Sequence, residues 1–295
     1  MRVFVTGATG FIGSEVVREL IGAGHQVLGL TRSNAGAEAL ARAGAEVHRG
    51  DLYDLESLRT GAAKSDAVIH LAFNHDFSKF VENCETDRRV IEALGSVLEG
   101  PDRPLIITSG TGMANSQPGV TATEDAPKIS SSVIPRAASE EAAAAMAARD
   151  GRVIVVRLPQ VHDTVKQGLV SYAVQIAREK GVVAYVGDGQ SRWPAAHLLD
   201  VARLYRLALE KGTSATYHAV AEEGVQVKEI CEVVGKGLKM PVVSLTPEEA
   251  QAHFGWLAHF VAWDLPASSA QTRKQLGWEP TGPGMIADLE NMRYS

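Results

Sequence analysis

Val3-Phe4-Val5-Thr6-Gly7-Ala8-Thr9-Gly10-Phe11-Ile12-Gly13 decides how this 295-residue chain folds. A short β-rich apolar run meets a cluster of glycines, and Val16, Val17, Leu20 and Ile21 then continue at helical spacing. Strand, tight turn and helix start, in that order, suit the pyrophosphate of a dinucleotide. Gly7 lets the backbone turn sharply, Gly10 lets phosphate approach without a Cβ in the way, and Gly13 lets helix and strand pack closely. Thr9, Phe11 and Ile12 complete the loop and the first helical turn. The unpaired N–H groups there and the positive end of the helix dipole favour an anion. The spacing is G-x-x-G-x-x-G rather than the commoner G-x-G-x-x-G, and an ordinary βα turn can carry such a triplet. Its place between the first strand and an apolar helix decides for the nucleotide.

Outward from this loop, β-rich runs alternate with helical patterns. Strands are predicted at 2–6, 26–31, 45–49, 66–72, 104–108 and 152–157, with helices at 11–23, 36–43, 54–62, 77–98 and 136–149. Alternation of this kind predicts an α/β fold, a doubly wound parallel sheet of Rossmann type whose strand C-termini share one ligand-binding edge. Beyond residue 158 the pattern loosens. Helices are predicted at 166–180, 197–211, 226–237, 247–253 and 268–275, and short strands at 183–186, 216–220 and 241–245. The expected organisation is a dinucleotide-binding domain over 1–158 and a smaller C-terminal α/β lobe over 159–295, interleaved with the first and closing a cleft over it.

Composition narrows the function classes. A net charge of −6 does not suggest a nucleic-acid partner. Cys84 and Cys231 form no C-x-x-C, which predicts buried thiols in a reducing compartment rather than a disulfide framework or zinc site. No histidine pair has metal-ligand spacing with a carboxylate, and there is no G-x-S-x-G elbow. No apolar run approaches the roughly 18 residues of a membrane helix, and no leader precedes the first strand, so a soluble, cytoplasmic protein is expected.

The end of the second strand chooses between dinucleotides. An acid there suits the ribose 2′-hydroxyl of NAD, whereas an arginine accommodates a 2′-phosphate. The sequence reads Leu28-Gly29-Leu30-Thr31-Arg32-Ser33, without an acid, so Arg32 and Ser33 predict NADP. Asp51 and Leu52, after the third strand, fit an adenine contact, although Asp51 equally suits a helix cap. Leu71, Ala72 and Phe73 end the fourth strand beside the glycine loop, where backbone would line the cofactor.

Taken together, Thr6-Gly7-Ala8-Thr9-Gly10-Phe11-Ile12-Gly13, Gly50-Asp51-Leu52, Ile69-His70-Leu71-Ala72 and Thr108-Ser109 resemble the extended short-chain dehydrogenase/reductase superfamily. The likeness continues through Arg157-Leu158-Pro159-Gln160-Val161, Gly187-Asp188-Gly189, His197-Leu198-Leu199-Asp200 and Leu276-Gly277-Trp278. It implies that Pro159 and Val161 lie on the segment closing over the nicotinamide, and that pairing through helices 77–98 and 136–149 would give a homodimer. It also implies a Tyr-x-x-x-Lys pair on the helix after the fifth strand. Here the pattern breaks. Pro135-Arg136-Ala137-Ala138-Ser139-Glu140 puts Arg136 and Glu140 roughly where tyrosine and lysine belong, so the chain resembles the atypical members of that group.

Other residues must then carry any chemistry. Ser109 and Thr111, at the end of the fifth strand, are hydroxyls able to hydrogen-bond a substrate carbonyl or imine, or equally to form turns among glycines. His162 follows the sixth strand and has a pKa suited to proton donation. His75 lies on the strand edge, Arg136 suits an anionic substrate group, and Trp193 suits a pocket wall. Three functions stay open: an NADPH-dependent oxidoreductase reducing a small carbonyl or imine, a non-catalytic NADP sensor, and a nucleotide-sugar epimerase or dehydratase.

Overall fold

The computed structural model describes residues 1–98, 100, 102–114 and 119–294. In chain order the first half holds β1 (Arg2–Thr6), α1 (Phe11–Gly22), β2 (Gln26–Thr31), α2 (Asn34–Arg42), β3 (Glu46–Arg49), α3 (Leu55–Ala63), β4 (Ala67–His70), α4 (Phe80–Gly95), β5 (Leu105–Gly110), α5 (Ala138–Ala147) and β6 (Val153–Leu158). These six strands and β10 (Thr216–His218) form one parallel sheet in the order β10-β6-β5-β4-β1-β2-β3. The expected doubly wound sheet is the one observed.

Alternation along β1 shows why it is central. Val3 and Val5 pack with Val16, Val17 and Leu20 of α1, while Phe4 packs with Leu58, Ile91 and Leu94 on the other face. Both faces of the strand are buried, as a parallel sheet requires. The chain leaves β1 toward β3 and returns to β4 on the other side of β1. That reversal opens the crevice between β1 and β4, where doubly wound sheets bind ligands.

The second half contributes β7 (Gln160–His162), α6 (Val170–Lys180), β8 (Val183–Val186), β9 (Arg192–His197), α7 (Leu198–Lys211), β10, β11 (Glu222–Gln226), α8 (Val227–Leu238), β12 (Val242–Leu245), α9 (Pro247–Phe254), α10 (Ala258–Ala262), α11 (Ala270–Leu276) and α12 (Met285–Asn291). Strands β7, β9 and β11 make a three-stranded sheet, and β8 pairs with β12. A second core gathers Val170, Trp193, Ile230 and Phe254. This half also serves the first: β10 extends the large sheet, and Val201, Leu204 and Tyr205 of α7 share a core with α1.

The predicted strands do not include β7, β9 or β11, and in β9 Pro194 interrupts the β-rich pattern. Pro194 offers no N–H, and the strand tolerates it beside a register shift in the β9–β11 pairing, between Glu222 and Val225. Helix α4 starts at Phe80, after a single 3₁₀ turn over 77–79, rather than at 77. Helix α6 starts at Val170 rather than 166, because Lys166 N donates to Asp163 Oδ1 in a preceding turn. Among the described residues no helix is long and apolar enough to cross a membrane. Both cysteines are buried and free, and burial pushes their thiols up, Cys84 to about 11 and Cys231 to about 12.

Candidate active site

The glycine loop has the geometry its sequence implies. Gly7 has φ +66°, and a Cβ there would lie 2.7 Å from the Ala72 nitrogen at the end of β4. A Cβ on Gly13 would come within 2.0 Å of the Gly7 carbonyl oxygen, so α1 and the loop touch only because Gly13 has none. Gly10 N donates to Gly7 O at 2.9 Å, which closes the turn. Gly10 is also the N-cap of α1 and has no side chain to spend on the first helical N–H groups. An anion is their natural acceptor, so the loop fits a pyrophosphate. Leu71 and Ala72 line the same crevice, their amides reaching back to Thr6 O and Thr6 Oγ1 at 3.3 Å.

At the far end of β2, Arg32 is exposed and makes no ion pair with any described residue. Ser33 is the N-cap of α2, accepting from Gly36 N at 3.0 Å. Parallel pairing sets Arg49 of β3 beside Thr31, and its Nη2 donates to Asn34 at 2.8 Å. A second cation therefore stands at this corner. Its place beside Thr31 follows from the β2–β3 register, which local sequence does not give. Asp51 Oδ1 accepts from Tyr53 N and Asp54 N at 2.8 and 3.2 Å, and Asp54, not Asp51, caps α3. Leu52 is partly buried against the core.

Arg136 and Glu140 are both ion-paired. Arg136 Nη1 donates to Asp87 Oδ2 at 2.9 Å and also to Ser139, and Nη2 donates to the Thr108 carbonyl at 2.9 Å. Asp87 is buried and also bonds His70 Nε2 at 2.9 Å and Ser139 Oγ at 2.5 Å. Burial alone would raise the Asp87 carboxyl, but Arg136, His70 and the hydrogen bonds win and hold it down at about 2. His70 Nδ1 lies 2.6 Å from Thr6 Oγ1, so the network ties the floor of the glycine loop to the start of α5.

Glu140 clasps Arg157 of β6 through two bonds of 2.8 and 2.7 Å, with Arg157 wholly buried. Burial opposes the charge on Glu140, yet Arg157 keeps its carboxyl below the ordinary glutamate value. A cation thus still stands near this position, but it arrives from the sheet. A charge in the apolar run Val153–Leu158 demands a buried partner, and that signal could have found Glu140 from sequence.

Several expected residues are already committed. Ser109 is buried and donates its hydroxyl to Glu140 Oε1 at 2.7 Å, so its proton is not available to polarise a substrate. Thr111 is buried, and its hydroxyl donates to Leu158 O at 3.4 Å. His162 is fully buried in the smaller lobe, its Nδ1 2.7 Å from Asp288 Oδ2, and burial pushes its pKa down. It has no open path to a substrate. Trp193 is 2% exposed and donates to Phe260 O at 3.1 Å, so it is lobe core and not a pocket wall. Tyr205 reaches Thr108 Oγ1 at 2.7 Å, but it too is fully buried, and its phenol is pushed well above the ordinary tyrosine value. Pro159 is partly buried and Val161 buried, on the segment leaving β6.

What remains open is a cationic, aromatic edge. The Arg136 guanidinium lies 4.4 Å over the Phe73 ring. Phe73 touches His75 edge-on at 5.4 Å. Loss of water around the His75 ring, then the charges of Lys166 and Arg136, hold its pKa below the usual histidine value. Lys166 lies 5.5 Å over Phe11 of the glycine loop. Among the described residues, no group of three His, Cys, Asp or Glu side chains could hold a metal.

Residues 3–220 match the NAD dependent epimerase/dehydratase family. The chain belongs to this family. It is 47% identical to the uncharacterized protein C2A9.02 of Schizosaccharomyces pombe over 296 residues, which is 100% of both chains. It is 27% identical to a decarboxylating sterol-4-alpha-carboxylate 3-dehydrogenase of Dictyostelium discoideum, over 77% of this chain and 74% of that one. Among solved structures, a dTDP-glucose 4,6-dehydratase of Streptomyces venezuelae with NAD bound superposes with a TM-score of 0.77 at 19% identity, covering 100% of this chain and 96% of that one. That likeness shows the fold. Within the family this is an atypical extended member, with Arg136 and Glu140 standing roughly where a tyrosine and lysine are expected.

Proposed function

We propose that the chain is an NADPH-dependent oxidoreductase that reduces a carbonyl or imine of a small molecule without a tyrosine–lysine pair. The observation that carries this reading is the sterically complete glycine cradle, in which Gly7 and Gly13 leave no space for a Cβ. Gly7, Thr9, Gly10, Phe11, Ile12 and Gly13 would hold the pyrophosphate, Asp51 and Leu52 the adenine, and Leu71, Ala72, Phe73, Pro159 and Val161 the nicotinamide half. Exposed Arg32 with Ser33, and Arg49 beside them, favour a 2′-phosphate. The nicotinamide supplies hydride to the acceptor when bound.

The chain's own residues then have three tasks. Arg136 orients the acceptor with the donors that Asp87 and Thr108 leave unspent. His75, on the cleft edge, passes a proton between solvent and the substrate heteroatom. Phe73 and its aromatic neighbours exclude water from the face on which hydride moves. An imine already protonated in solution needs even less help. Against an epimerase or dehydratase stands the loss of the tyrosine, on which oxidation and re-reduction at one centre depend.

NADPH oxidation by purified protein across a panel of carbonyls and cyclic imines tests the reading. Turnover that falls at least tenfold in His75→Ala supports it. Conversion of a nucleotide sugar to its epimer with no net change in NADPH would replace it.

A further inference from the structure

The open edge of the cleft combines two features: cationic groups with donors left free and a wall of partly exposed rings. Arg136 commits Nη1 and one Nη2 bond to Asp87, Ser139 and the Thr108 carbonyl, while its Nε–H has no partner among the described residues. Its side chain is 16% exposed, so it still reaches solvent. Lys166 is exposed, lies over Phe11, and has no ion pair with a described residue.

The rings continue from that charge toward the smaller lobe. Phe77, on the loop after β4, stacks on Trp256 at 4.0 Å with 9° between planes. Tyr172 of α6 meets both edge-on, at 5.9 and 5.2 Å. Phe77 and Tyr172 are only half-buried, and Trp256 is 40% exposed. Aromatic rings left uncovered in a contiguous patch mark a place where another apolar surface is received.

We infer that the cleft selects a substrate with a carboxylate or similar anionic head, read by Arg136 and Lys166, and a flat apolar body laid against Phe73, Phe77, Tyr172 and Trp256. The inference rests on the oxidoreductase reading for what happens next, but the recognition is separable from it. Guanidinium and ammonium donors favour an oxyanion, and ring faces favour a planar body over a hydrated sugar. The charges of Lys166 and Arg136 both reach His75, which agrees with one compact cationic site rather than two separate ones.

Calorimetric titration of the NADP⁺-loaded protein tests recognition without turnover. The probes are phenylacetate and 2-naphthoate, each against its neutral amide, with acetate as the headgroup alone. Each aryl acid is expected to bind at least tenfold more tightly than its amide and than acetate. Lys166→Met, an exposed position that disturbs no described ion pair, and Arg136→Gln should each cut the acid-to-amide ratio at least threefold. Trp256→Ala should weaken acid and amide alike and keep their ratio. Equal binding of acid and amide, or no binding of either, overturns the inference. NADPH oxidation with phenylpyruvate and with phenylacetone separates the two claims. Tight acid binding with no turnover of either ketone leaves the recognition standing and passes the oxidoreductase reading to the wider carbonyl and imine panel. Equal turnover of both ketones supports that reading and overturns the anionic preference.

Discussion

Replacing Glu140 by glutamine removes one charge and almost no volume, so it isolates what the swapped pair contributes. Arg157 is wholly buried, and its two bonds to Glu140 are 2.8 and 2.7 Å. Removing one partner of such a pair leaves a buried charge uncompensated, which costs about 3–5 kcal/mol. For a chain of this length each kcal/mol moves the melting temperature by about 2 °C, so Glu140→Gln should lower it by roughly 6–10 °C. Glu140→Lys, which puts a lysine roughly where the resemblance expects one, sets two cations together and should cost more. The double variant Glu140→Met/Arg157→Met should recover much of the loss, since apolar replacement of both partners is often nearly neutral. Ser109 and His218 lose partners in that variant, which retains a cost of about 1–3 kcal/mol. Calorimetric melts of these three variants and of the singles Glu140→Met and Arg157→Met decide the matter. A Glu140→Gln protein melting within about 1 °C of the parent would refute the reasoning, as would a double variant whose loss is the sum of both singles.

Gly13→Ala places a methyl where the Gly7 carbonyl oxygen lies 2.0 Å away, so NADPH affinity should fall at least tenfold; parental affinity in a fluorescence titration would contradict the cradle geometry. The Asp87 carboxyl sits at about 2 against an ordinary 3.8, so it contributes about 2 kcal/mol above the unfolded value. That contribution should disappear as pH falls through the range from about 4 to about 2, and Asp87→Asn should flatten melting temperature against pH there. Because the His75 pKa is lowered, its protonated form gains population only below the usual histidine range. Reduction should therefore accelerate as pH falls below about 6.5, and His75→Ala should remove that slope; an unchanged profile in the variant would remove His75 from proton transfer.

The sequence made the fold legible because its strongest signals are local. All seven large-sheet strands fall on predicted β-rich runs, although the sequence pattern assigns the one at 216–220 to the smaller lobe, and β1 with α1 follows from the glycine spacing. Strand β9 was hidden by Pro194, whose tolerance depends on a bulge formed with a distant partner. At the candidate site, spacing placed Arg136 and Glu140 but could not say what they touch. Their partners, Asp87 on α4 and Arg157 on β6, lie 49 and 17 residues away in sequence. Ser109 and His162 were plausible as chemical types, and tertiary contacts removed them. Ser109 spends its proton on Glu140, and His162 is sealed against Asp288. Lys166 carried no local signal, and Trp256 reads in sequence only as part of an aromatic cluster; each gains its meaning from the rings and charges brought beside it.

One titration tests the central claim that the dinucleotide seat is intact although the usual catalyst is gone. NADPH fluorescence, followed as purified protein is added, should saturate at one equivalent per chain, with NADPH bound at least tenfold more tightly than NADH. Arg32→Ala should abolish that preference while leaving the fold unchanged by circular dichroism. Failure of NADPH to saturate the folded protein would contradict the account at its foundation.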